Sequence, residues 1–162
     1  MIDAALRELL VELLADSHAH VDFAPAVADL PPALRGVRPE GMPHSLWELL
    51  EHLRIAQWDI LEFSRDPDHV SPDWPAGYWP PSPEPPEDGA WEASVAAFRA
   101  DLWAMGELIA DPASDLFAPL PWGQGQTLIR EVLLLADHNA YHVGQLVDVR
   151  RLLGAWPAVP PP

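Results

Sequence analysis

Residues 127–153 read TLIREVLLLADHNAYHVGQLVDVRRLL, and their spacing predicts one long amphipathic helix. At 100° per residue, Leu128, Val132, Leu135, Leu146, Val149 and Leu153 fall on one side. Thr127 supplies a capping hydroxyl at the start. His138 and His142 fall on the same apolar side, where an unpartnered polar group costs about 1–3 kcal/mol to bury. Residues four apart are neighbours on a helix and can present two ring nitrogens to one ion. A shared metal satisfies both imidazoles; hydrogen-bonded core or surface histidines are the alternative.

Three further helices are predicted upstream. The first covers residues 3 to about 19, where Leu6, Leu9, Leu10, Leu13 and Leu14 recur at helical spacing. A short turn capped by Asp22 follows, or a kinked extension through Pro25, ending before Pro31 and Pro32. The second long helix starts sharply: Ser45-Leu46-Trp47-Glu48 fits a capping box, in which hydroxyl and carboxylate each satisfy a free backbone N–H. It runs to about Arg65, with Leu46, Leu49, Leu50, Leu53, Ile60 and Leu61 as its buried stripe. Residues 66–90 carry many prolines with Trp74, Tyr78 and Trp79, and form a long connection whose aromatics favour an ordered covering over a free linker. A third helix, Trp91 to Ala110, repeats Val95, Phe98, Leu102, Met105 and Ile109. Trp47, Trp58, Trp91 and Trp103 are expected to pack the bundle. No alternating strand pattern stands out. The chain therefore reads as an all-α domain over residues 1–154 with an irregular proline-rich tail, 155–162.

Composition narrows the function. The 162 residues are long enough for one buried core, and 49% hydrophobic content with eight tryptophans argues against disorder. Nine Lys and Arg against 25 Asp and Glu leave a formal charge of −16, which repels a phosphate backbone and an anionic membrane. Neither nucleic acid nor membrane is an expected partner. The absence of cysteine removes disulfides, zinc–thiolate sites and a cysteine nucleophile. Any metal must use His, Asp, Glu or water. Asp3, Glu8 and Glu12 interrupt the apolar N-terminal stretch, so a cytoplasmic location is expected.

A third histidine strengthens the metal reading if it comes from a packed neighbouring helix, and His52 is the best candidate, beside the apolar stripe of the second long helix. His18, His20 and His69 read as mainly exposed. His44 reads as a helix-entry residue that could approach a site at the bundle end. Glu131 and Gln145 lie near the histidine pair on the wheel, so either could orient a ligand or a bound water; an ordinary hydrogen bond is the alternative for each. Asn139 needs a partner and is a candidate for holding the first or third helix. Tyr141 and Asp137 read as packing and surface residues, and Glu51 points away from His52. Trp74, Tyr78 and Trp79 either cover the metal pocket or pin the long loop.

The segment His44-Ser-Leu-Trp-Glu-Leu-Leu-Glu-His52 resembles the second-helix motif of DinB/YfiT-like proteins, and Asp137-His-Asn-Ala-Tyr-His-Val-Gly-Gln145 resembles their fourth-helix motif. The likeness extends over nearly the whole chain, including the long connection. It implies an up-down-down-up four-helix bundle, often a homodimer, with His52, His138 and His142 as ligands to one divalent transition metal, zinc or nickel. It further implies metal-dependent transfer of a low-molecular-weight thiol to a small-molecule electrophile, the thiol arriving as cosubstrate because the chain has no cysteine. A metal-dependent hydrolase and a non-catalytic, metal-stapled stress-response module are the alternatives. A DNA-repair polymerase is excluded by size.

Overall fold

The computed structural model describes residues 2–15 and 19–157; His18 and residues 158–162 of the expected tail lie outside the described residues. Four long helices, α1 (Ile2–Ala15), α3 (Leu46–Arg65), α4 (Ala90–Ala110) and α5 (Leu128–Leu152), make up the fold, with a short α2 (Phe23–Val27) between α1 and α3 and no β-strand among the described residues. None of the described helices is long and apolar enough to cross a membrane.

The caps read from sequence are in place. Ser45 Oγ accepts from the Glu48 amide at 3.2 Å while Glu48 Oε2 accepts from the Ser45 amide at 2.8 Å, which fixes where α3 begins. Thr127 Oγ1 accepts from the Arg130 amide at the start of α5. The short α2 is a separate turn. Asp22 stands at its N-cap but forms no side-chain cap there. Described helix runs to Ala15 and Ala19 and His20 lie in a bend, so the expected helix end near 19 falls at residues 16–18, outside the described residues.

α3 packs on α4 and α5, and α1 packs on the same two helices. One apolar cluster joins Leu46, Leu50 and Leu53 of α3, Trp91 and Phe98 of α4, and Val143, Leu146 and Val149 of α5, together with α2. A second joins Leu10, Leu61, Met105, Ile109, Leu128, Val132 and Leu135. Leu9 and Leu13 correct the expected α1 stripe: Leu6, Leu10 and Leu14 meet the core, with Val11 beside them, whereas Leu9 and Leu13 face out. Trp58 and Trp103 also lie outward, whereas Trp47 and Trp91 are buried as expected.

Polar pins lock the ends and the middle. Arg7 donates to the carbonyls of Ile109, Asp111 and Ser114, satisfying acceptors left free where α4 ends. Arg150 does the same for Pro25, Ala26 and Ala28 around α2 and for Ala155. Midway, fully buried Gln57 donates to the Phe98 carbonyl and accepts from Asn139 Nδ2 at 3.0 Å. Asn139 therefore holds α5 to α3, not to the first or third long helix as expected, because Gln57 of α3 stands between it and α4.

Candidate metal centre

His52 comes from the first half of α3, and His138 and His142 from one face of α5, so the α3–α5 packing alone brings the three rings together. His52 Nε2 lies 3.1 Å from His138 Nε2 and 3.2 Å from His142 Nε2. Ligating atoms of all three fall within 4.8 Å of one another, the one group of at least three potential metal-holding side chains among the described residues.

The outer ring edges show which nitrogens are free. His52 Nδ1–H donates to the Tyr78 carbonyl at 2.9 Å; a carbonyl only accepts, so Nδ1 carries the proton and Nε2 presents a lone pair. His142 Nδ1–H donates to Gln145 Oε1 at 2.7 Å, which leaves its Nε2 bare as well. His138 Nδ1 is buried without a well-formed hydrogen bond, the adjacent Asn139 amide being turned to Gln57. Burial is the main cause lowering all three pKa values, to about 4 for His138 and for His142; neighbouring imidazoles add to it, His44 for His52, His142 and His52 for His138, and His52 and His44 for His142. At neutral pH the cluster is uncharged.

That donor set fits a divalent ion better than it fits itself. His138 can donate an Nε2–H to His52, but the bare nitrogens of His52 and His142 then face each other at 3.2 Å with no proton between them. A cation removes the repulsion. Two nitrogens at about 2.1 Å from one ion in tetrahedral or octahedral geometry stand roughly 3.0–3.4 Å apart, which is the range of the 3.1 and 3.2 Å separations from His52 to its two partners.

A family model for the DinB superfamily matches residues 7–146, a span containing all three histidines and Gln145. The chain belongs to the DinB superfamily. No curated protein and no solved structure matches it. In this DinB chain, the residues around the triad divide as follows. Gln145 reaches the cluster through His142. Glu131 does not: it lies seven residues before His138, about 10 Å along the helix, where its buried carboxylate accepts from Arg130 at 2.5 Å. Glu51 points away, as expected, to Arg54 and Ser94. Tyr141 is largely exposed with its ring edge-on to His142, 5.0 Å between centroids, and Asp137 is at the surface.

The long connection is ordered over the site, and it both covers and pins. Trp79 stacks on His52 with centroids 4.0 Å apart and rings 2° from parallel, and its other face stacks on His44 at 3.9 Å. The indole thus separates His44 from His52, which keeps His44 from sharing their ion. His20 is exposed as expected, but His69 is not: its Nε2–H donates to Asp59 Oδ1 at 2.7 Å, because a carboxylate on α3 offers the buried ring a partner. Asp59 was not singled out in the sequence, although its place seven residues after His52 puts both on one face of α3. Behind α5, a cavity of about 530 Å³ opens on the Asn139 side, lined by Phe23, Phe98, Leu102 and Val143, and holds none of the three histidines.

Proposed function

We propose that this DinB protein holds one divalent metal through His52, His138 and His142 and transfers a low-molecular-weight thiol to an electrophilic substrate. The observation that carries the reading is the convergence of three neutral imidazoles with no carboxylate among them. Three protein ligands leave coordination positions for an exchangeable group, the pattern of catalytic sites. When bound, the ion lowers the pKa of a thiol or water and so supplies a nucleophile at neutral pH.

The chain's own residues orient and shield. The Tyr78 carbonyl and Gln145 aim His52 and His142, and Trp79 closes one side against water. The thiol sulfur forms a bond to the electrophilic carbon, the leaving group departs with its bonding pair, and the thiol proton passes to solvent. Hydrolysis ranks below thiol transfer because Glu131, the carboxylate considered as a base, is two turns away with Arg130. Zinc and nickel both suit three imidazoles.

An up-down-down-up order belongs to the same reading. Its support is that the starts of α3 and α4 share a cluster with the end of α5, while their ends share the other with its start. Homodimerisation is supported by the exposed Leu9, Leu13, Leu133 and Leu134, and sedimentation tests it: a monomer at all concentrations rules it out. The proposed setting is cytoplasmic, tested by cell fractionation.

The activity is tested by incubating metal-loaded protein with electrophiles and thiols, including the host's own, and following the thioether adduct by mass spectrometry. Adduct formation above the protein-free rate, lost in His52→Ala, is expected. Retained metal without turnover across the panel would assign the ion to stapling α3 to α5 in a binding module.

A further inference from the structure

Seven residues after His52, α3 presents Asp59, almost completely buried and about 10 Å further along the same face. Its two carboxylate oxygens are both used: Oδ1 accepts from His69 Nε2 at 2.7 Å and Oδ2 from the Tyr78 hydroxyl at 2.6 Å. Tyr78 thus lies along α3 with its hydroxyl on Asp59 and its backbone carbonyl on His52 Nδ1. The next residue, Trp79, lies flat on the His52 ring. Two consecutive loop residues therefore fix both the edge and the face of one imidazole, and the side chain that anchors them to α3 is Asp59.

We propose that Asp59 and Tyr78 are positioning residues for His52: through the Tyr78 main chain they set the ring's tautomer and direction, while neither side chain touches the cluster. His69 completes the anchor by holding the loop entry to the same carboxylate. Gly77 lets the loop pass close to Pro72, where an added Cβ would lie 2.8 Å from the proline Cβ. A loop merely pinned for stability has no need to deliver a carbonyl to the inner ligand's far nitrogen. This one does so two turns from its anchor.

The inference rests on the metal reading for its effect on affinity, but not for its geometry, and the test separates the two. Tyr78→Phe removes only the hydroxyl and leaves the carbonyl and ring in the chain. Long-range nitrogen–proton NMR on the metal-free protein reads the His52 tautomer directly. Wild type is expected to show the Nδ1–H form, and Tyr78→Phe a mixture with the Nε2–H form. In competition with a chromophoric chelator, Zn²⁺ is expected to bind Tyr78→Phe and Asp59→Ala about tenfold more weakly, in the range for groups that orient metal ligands. The double variant should be no weaker than the worse single one, since both cut one chain of contacts. If Asp59→Ala does not fold, Tyr78→Phe carries the test alone. An unchanged His52 tautomer in folded Tyr78→Phe overturns the proposal whatever the zinc affinity does. Failure of wild type to take up Zn²⁺ overturns the metal reading instead, and the tautomer still decides this one.

Discussion

Gln145 gives the sharpest perturbation of the centre, because it touches the cluster through a single contact. Its Oε1 accepts the His142 Nδ1 proton at 2.7 Å, and the His142 residue is only 9% exposed, so water replaces that acceptor poorly. Gln145→Leu keeps the bulk and removes the acceptor. Leaving a buried N–H unpaired costs about 1–3 kcal/mol, and the ring escapes part of this by moving the proton to Nε2, where the metal must displace it. Metal affinity should therefore fall by about 10–100-fold, equivalent to roughly 1.4–2.8 kcal/mol. Gln145→Glu retains an acceptor and should bind at least as tightly as wild type. Chelator competition at pH 7 gives both dissociation constants, and circular dichroism checks that the helices persist. Wild-type affinity in Gln145→Leu would show that the contact does not orient the ligand.

Two other outcomes follow from buried polar groups. Gln57→Leu strands the Asn139 amide that Gln57 accepts from, and should lower unfolding free energy by about 1–3 kcal/mol in urea titration; a smaller change would mean that the core supplies another partner. In the metal-free protein, burial holds His138 and His142 near a pKa of about 4, against an ordinary 6.5. Between those values the unfolded chain binds protons that the folded protein does not, so this contribution is full above pH 6.5 and is lost as pH falls toward 4. Urea midpoints should drop from pH 7 to pH 5, and drop less in His142→Ala; equal slopes would contradict the assignment.

The parts legible in the sequence are those with local causes. Ser45 with Glu48 and Thr127 with Arg130 cap helices within four residues, so the starts of α3 and α5 could be placed from spacing alone. His138 and His142 share a face by helical period, and the resemblance to a family supplied His52 as their partner across the bundle. What spacing could not give were contacts set by the loop's path. His69 read as exposed because nothing near it in sequence announces Asp59, ten residues earlier on another element. Glu131 read as a neighbour of the histidines because a wheel collapses the helix axis and hides two turns of rise. Leu9 and Leu13 look identical to Leu6, Leu10 and Leu14 until it is known which side of α1 meets α4 and α5.

The central claim is that three imidazoles hold one ion, and metal stoichiometry tests it most directly. Purified protein, stripped and reloaded with Zn²⁺ or Ni²⁺ and then desalted, should carry one ion per chain, and His142→Ala with intact helicity should carry close to none. One ion per chain retained in folded His142→Ala, or none in wild type, would contradict the account.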